Sequence, residues 1–132
     1  MKNTALLLLL AGLPSLHLSA QSCLPGGIIF SSQSQIDNFS TDYPGCKEIS
    51  GNVTVSGSAT NLNGLSQVES INGYLELSNN LSLAGLSGLN NLKSIGGILW
   101  ISNNPALTNL SGLGNLGFVG GGLLVAENTS MI

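Results

Sequence analysis

Apolar positions recur along the chain on a fixed spacing. Counting from Ile95, they fall at Leu99, Ile101, Leu107, Leu110, Leu113 and Leu116, and the pattern restarts at Val119. The unit before it, counted from Ile71, places Leu75, Leu77, Leu83, Leu86, Leu89 and Leu92 at the same offsets, a period of 24 residues. An earlier unit from Ile49 carries Val53 and Val55, is two residues shorter, and resumes with Leu62, Leu65 and Val68. A fourth, with Leu123 and Val125, runs to Ile132 before its circuit is complete. Self-similarity in this range is the mark of a solenoid, in which each unit buries its apolar face only against its neighbours.

Within a unit the spacing separates strand from turn. Leu75/Leu77, Leu99/Ile101 and Leu123/Val125 alternate with period two, which predicts strands with those side chains inward. The later L-x-x-L-x-x-L segments have a three-residue period, and the Gly and Asn between the leucines oppose a regular helix. Gly51, Gly73, Gly97 and Gly121 precede the apolar pairs at a corner that needs positive φ or close backbone approach. Gly64, Gly88 and Gly112 mark a second corner. Asn80, Asn104 and Asn128 repeat at a third, where amides are expected to bond from unit to unit and Asn to supply a left-handed residue.

The expected fold is mainly β: a short right-handed parallel β-helix of about four coils over residues 49–132, the last incomplete. With strands stacked about 4.8 Å apart, it is a stub rather than a long rod. A leucine-rich-repeat horseshoe is the competing architecture, but its convex helices have no obvious place here. Ser32-Gln33-Ser34-Gln35 fits a capping box, and Ile36 and Phe39 are spaced to lay one face on the first coil. A short helix near Gln33 to Phe39, stopped by Tyr43-Pro44-Gly45, is therefore expected to cap the N-terminal end, with Ile28–Phe30 as a first strand.

The first 22 residues read differently. Lys2, the apolar run from Ala5 to Leu13, and small or polar residues at Ser19, Ala20, Gln21 and Ser22 make a secretory leader, too short to span a bilayer. A cut after Ser22 leaves Cys23 first, but Ala20-Gln21-Ser22 lacks the leucine usual in a lipoprotein box. Export makes Cys23 and Cys46, the two cysteines of the chain, a disulfide in the first instance. A metal site lacks partners, because the single histidine, His17, lies in the leader. Residues 23–48 thus form an N-terminal cap closed by that bond.

Here a resemblance becomes specific. The run CLPGGIIFSSQSQIDNFSTDYPGCKEISGNVTVSG, followed by L-x-G-L, I-x-G-x-L-x-L and N-N-x-x-L units, resembles the receptor L domain family over Cys23 to Ile132. That resemblance implies a right-handed β-helix with a helical cap, the Cys23–Cys46 bond holding its N-terminal end, and ligand binding outside the cell. These domains usually close with a C-terminal cap. The short last coil therefore implies a fragment of a longer surface protein, with further coils or a partner chain at the open end.

Charge and chemistry narrow the function. The chain has three cations, Lys2, Lys47 and Lys93, against six acids, for a net charge of −3. No basic patch exists to attract nucleic acid or an anionic membrane. No cofactor or metal is implied. No two acids share a ladder position as carboxylate-pair hydrolysis requires, and Glu76 stands alone on its strand. Catalysis is not expected.

A surface remains. With Leu75/Leu77 and their equivalents inward, Asn52, Thr54, Ser56, Tyr74, Glu76, Ser78, Ile98, Trp100, Ser102, Gly122, Leu124 and Ala126 point outward. Tyr74, Glu76, Ile98, Trp100 and Leu124 form the candidate ligand-binding face, an aromatic and apolar strip around one carboxylate, suited to a protein or to the flat face of a sugar. The expected function is a secreted or cell-surface binding and adhesion module. A structural spacer of the cell envelope is the alternative. Five Asn-x-Ser/Thr sequons, at Asn38, Asn52, Asn80, Asn109 and Asn128, matter only in a glycosylating host, and two of them are ladder positions.

Overall fold

The computed structural model describes residues 21–132. The expected leader lies outside the described residues except for its last two, Gln21 and Ser22. These belong to the first strand, β1 (Gln21–Cys23), where Gln21 pairs with Cys46 and Ser22 with Glu48. The expected boundary between residues 22 and 23 therefore runs through a strand.

The protein is mainly β, with two five-stranded parallel sheets. One contains β1, β3 (Cys46–Ile49), β5 (Ser70–Ile71), β7 (Ser94–Ile95) and β9 (Phe118–Val119), in that order. The other contains β2 (Ile28–Phe30), β4 (Val53–Ser56), β6 (Leu75–Ser78), β8 (Ile98–Ser102) and β10 (Gly122–Ala126). Successive strands of the chain alternate between the two sheets. The 24-residue repeat becomes register: Leu75 pairs with Leu99, Leu77 with Ile101, Leu99 with Leu123 and Ile101 with Val125.

Between the sheets lies the leucine core. Leu75, Leu77, Leu83, Leu86, Leu89 and Leu92 are all buried, as are Ile95, Leu99, Ile101 and Leu107 in the next unit. The three-residue period resolves into 3₁₀ turns at Asn63–Leu65, Ser87–Leu89 and Ser111–Leu113. The central glycine of each is dictated by stacking: a Cβ on Gly88 would fall inside the Leu62 carbonyl, and one on Gly112 inside that of Leu86.

The N-terminal end is covered by two short helices, α1 (Gln33–Asp37) and α2 (Phe39–Asp42), where a single one was expected. The capping box forms: the Ser32 hydroxyl accepts from Gln35 N–H, and Gln35 Oε1 accepts from Ser32 N–H at 3.1 Å. Asn38, with φ −90° and ψ 0°, breaks the helix and starts the second. The expected apolar face is present, with Ile36 and Phe39 fully buried and Phe39 edge-on to Phe30 at 5.7 Å between ring centres. Cys23 and Cys46 are bonded, their Cα atoms 5.7 Å apart, and tie β1 to β3.

Two expectations are corrected. Leu123 and Val125 were expected inward and buried but are 62% and 37% exposed, because β10 is the outermost strand of its sheet and is packed from one side only. The left-handed corner residues are Asn79, Asn103 and Glu127, one before the ladder asparagines. Asn80 and Asn104 instead turn inward and are fully buried. Of the two roles open to Gly51, Gly73, Gly97 and Gly121, the structure shows close approach and not positive φ, Gly97 lying against the backbone of Gly73 and Gly121 against that of Gly97.

Candidate functional site

The register of the second sheet fixes what its outer face presents. Thr54, Glu76, Trp100 and Leu124 are successive partners across β4, β6, β8 and β10. Neighbouring strands are about 4.8 Å apart, so Trp100 is flanked closely by the Glu76 carboxylate on one side and Leu124 on the other. Tyr74 precedes Leu75 and Ile98 precedes Leu99, and those two leucines pair, which sets Tyr74 beside Ile98 at the same end of the strands. The entry to β6 is held by Asn52, whose Oδ1 accepts from the Tyr74 N–H at 3.0 Å.

Tyr74, Glu76, Ile98 and Trp100 line one groove of about 230 Å³. Tyr74 is 38% exposed and Trp100 42%, so each ring rests partly on the sheet and turns the remainder to solvent. Leu124 is also exposed and extends the apolar strip past Trp100 without lining the groove. Four of the five residues read from the sequence therefore converge on one depression, with the fifth alongside.

Ser78 keeps its place in the outward column but is covered there. It is only 5% exposed, and its hydroxyl donates to Glu76 Oε1 at 2.6 Å. Its register partners are Ser56 and Ser102, so it sits mid-sheet between small residues in the lee of the larger Glu76 side chain. The burial of Ser78 and its bond to Glu76 are what sequence reasoning missed here. Their signal was the i, i+2 spacing from Glu76, which puts both side chains on one face of a strand.

The charged side chains lie elsewhere. Lys47 and Lys93 both approach Glu69, each at 3.6 Å, along the sheet that contains β3, β5 and β7. These pairs are solvent-exposed and contribute little to stability. Among the described residues no group of three or more His, Cys, Asp or Glu side chains is arranged to hold a metal ion, and no helix is long and apolar enough to cross a membrane.

Residues 45–129, more than half of the chain, match the family model for the receptor L domain. The chain belongs to the receptor L domain family. Receptor L domains are ligand-binding modules of receptor ectodomains and act outside the cell. The matched span of this receptor L domain includes β3 to β10 and all five strip residues. A comparison with curated proteins finds no match to the sequence.

Proposed function

We propose that this receptor L domain is a non-enzymatic binding and adhesion module, secreted or displayed at a cell surface, which captures a protein or glycan ligand on the outer face of β4, β6, β8 and β10. The observation that carries this reading is the convergence of Tyr74, Glu76, Ile98 and Trp100 on one groove. Tyrosine and tryptophan supply large contact area at low entropic cost and dominate binding hot spots. A parallel sheet is normally covered on both faces, so an uncovered face with aromatic residues on it is a surface kept for contact.

The architecture that supports this face is, in our reading, a right-handed parallel β-helix of four coils with a helical cap at its N-terminal end. Its support is the alternation of successive strands between two parallel sheets and the in-register pairing of equivalent residues. Export follows from the leader-like first residues together with the Cys23–Cys46 bond.

The test is an unbiased screen of the immobilised chain against displayed proteins and a glycan array, repeated with Tyr74→Ala and Trp100→Ala. Ligands lost in both variants, with circular dichroism and thermal unfolding unchanged, support the binding face. A ligand retained by both variants places binding elsewhere. A chain that retains no ligand in either format is the outcome expected of a spacer.

A further inference from the structure

The groove carries a charge that nothing nearby balances. The two lysines of the described residues are both drawn to Glu69 on the other sheet, which leaves Glu76 without a cation partner among those residues. Glu76 Oε1 takes the Ser78 hydroxyl at 2.6 Å, while Oε2 receives no hydrogen bond among the described residues. Its neighbour across the strands is the half-exposed indole of Trp100, and Tyr74 stands two residues before it on the same face.

We propose that this groove seats the guanidinium of an arginine presented by a protein partner. The proposal rests on the binding-face reading above and names what that face takes. A guanidinium is planar and weakly hydrated; it stacks on an aromatic face while directing its edge N–H groups to a carboxylate. Trp100 supplies the face and Glu76 the carboxylate, side by side in register, with Ser78 fixing the orientation of the carboxylate. Tyr74 and Ile98 close the groove around the aliphatic stem, which needs apolar walls.

Charge decides against other occupants. The net charge of −3 disfavours an acidic ligand. A neutral sugar stacks on an indole equally well but leaves the Glu76 charge uncompensated. The chain contains no arginine, so a second copy does not fill the seat. The volume of about 230 Å³ suits one long side chain, not a strand or a helix.

Trp100 is the single tryptophan of the chain, and its fluorescence and indole N–H resonance report on the groove without labelling. The intact chain is titrated with acetyl-Gly-Arg-Gly-amide, with its citrulline and lysine counterparts, and with cellotetraose. The expected result is a saturable Trp100 shift with the arginine peptide. Binding is expected to be roughly tenfold weaker for citrulline, weaker for lysine, and roughly tenfold weaker in Glu76→Gln with circular dichroism unchanged.

Equal binding of the citrulline peptide overturns the proposal, because recognition would then not depend on charge. Lysine binding as tight as arginine overturns the guanidinium assignment. A shift with cellotetraose alone, or no saturable shift up to about 20 mM peptide, a ceiling well above millimolar affinity, also overturns it. A screened ligand that is lost with Trp100→Ala but retained with Glu76→Gln keeps the binding face while removing the arginine seat.

Discussion

Asn104 Oδ1 accepts two hydrogen bonds from Asn80, one from its backbone N–H at 3.1 Å and one from its Nδ2 at 3.0 Å. Asn128 Oδ1 does the same for Asn104, at 3.0 Å in each case. Each Nδ2 also reaches a strand carbonyl in the unit before: Asn80 to Val55, Asn104 to Leu77 and Asn128 to Ile101. A corner with no sheet ladder of its own thus has its buried backbone groups satisfied by side-chain amides.

Truncating this ladder is costly because its groups are buried. Asn104→Ala leaves the buried Asn80 N–H without its acceptor, at about 1 to 3 kcal/mol, and removes the side-chain bonds to the Leu77 carbonyl and to Asn128 as well. Asn80 Oδ1 already has no partner, so Asn80→Ala removes fewer satisfied groups. The expected order in urea unfolding, followed by Trp100 fluorescence, is wild type, then Asn80→Ala, then Asn104→Ala as least stable.

Glycine positions separate by space. Gly88→Ala forces the Leu62 backbone to move and is expected to cost about 1 to 3 kcal/mol or more. Gly85→Ala meets nothing within 4 Å and is expected to stay within about 0.5 kcal/mol of wild type. Thermal unfolding of the pair checks both.

The Cys23–Cys46 bond closes a loop with a sequence separation of 23 that contains both cap helices. The chain-entropy estimate for such a loop is about 3 kcal/mol. Cys23→Ser/Cys46→Ser is expected to lower stability by about that amount. Proteolysis of the double variant should begin in residues 21–45, whereas the repeats from Ile49 onward, which lie outside the loop that the bond closes, should be cut later.

Inward and outward positions on one strand are expected to respond differently. Leu99 is 2% exposed, and Leu99→Ala should cost about 2 to 5 kcal/mol. Its neighbour Trp100 faces out, and Trp100→Ala should leave unfolding close to wild type while removing ligand. Equal destabilisation by both would contradict the strand orientation.

Much of this was legible because it is local or periodic. The alternation of Leu75 with Leu77 fixes which face is buried, and the 24-residue repeat carries that choice to Leu99 and Ile101. The capping box of Ser32 and Gln35 is readable from four residues. The outward positions of Tyr74 and Trp100 follow from the same alternation.

What escaped depends on neighbours that periodicity does not describe. Leu123 and Val125 match the pattern, yet burial also requires packing from the far side. Ser78 matches the outward pattern, yet the Glu76 carboxylate beside it holds its hydroxyl and shields it. Asn38 splits the cap helix because its backbone leaves the helical basin, and the apolar spacing of Ile36 and Phe39 is blind to that. At the corner the left-handed residue and the ladder amide are adjacent asparagines, Asn79 and Asn80, so composition alone does not distinguish their roles.

The central claim is that the outer face bearing Tyr74 and Trp100 is where ligand binds. Amide hydrogen exchange of the intact chain, with and without a ligand obtained from the screen, tests it most directly. The account predicts added protection concentrated in residues 74–78 and 98–102. Protection confined to the Lys47–Glu69–Lys93 side, or to the exposed end around Phe118 and Leu123, would contradict it.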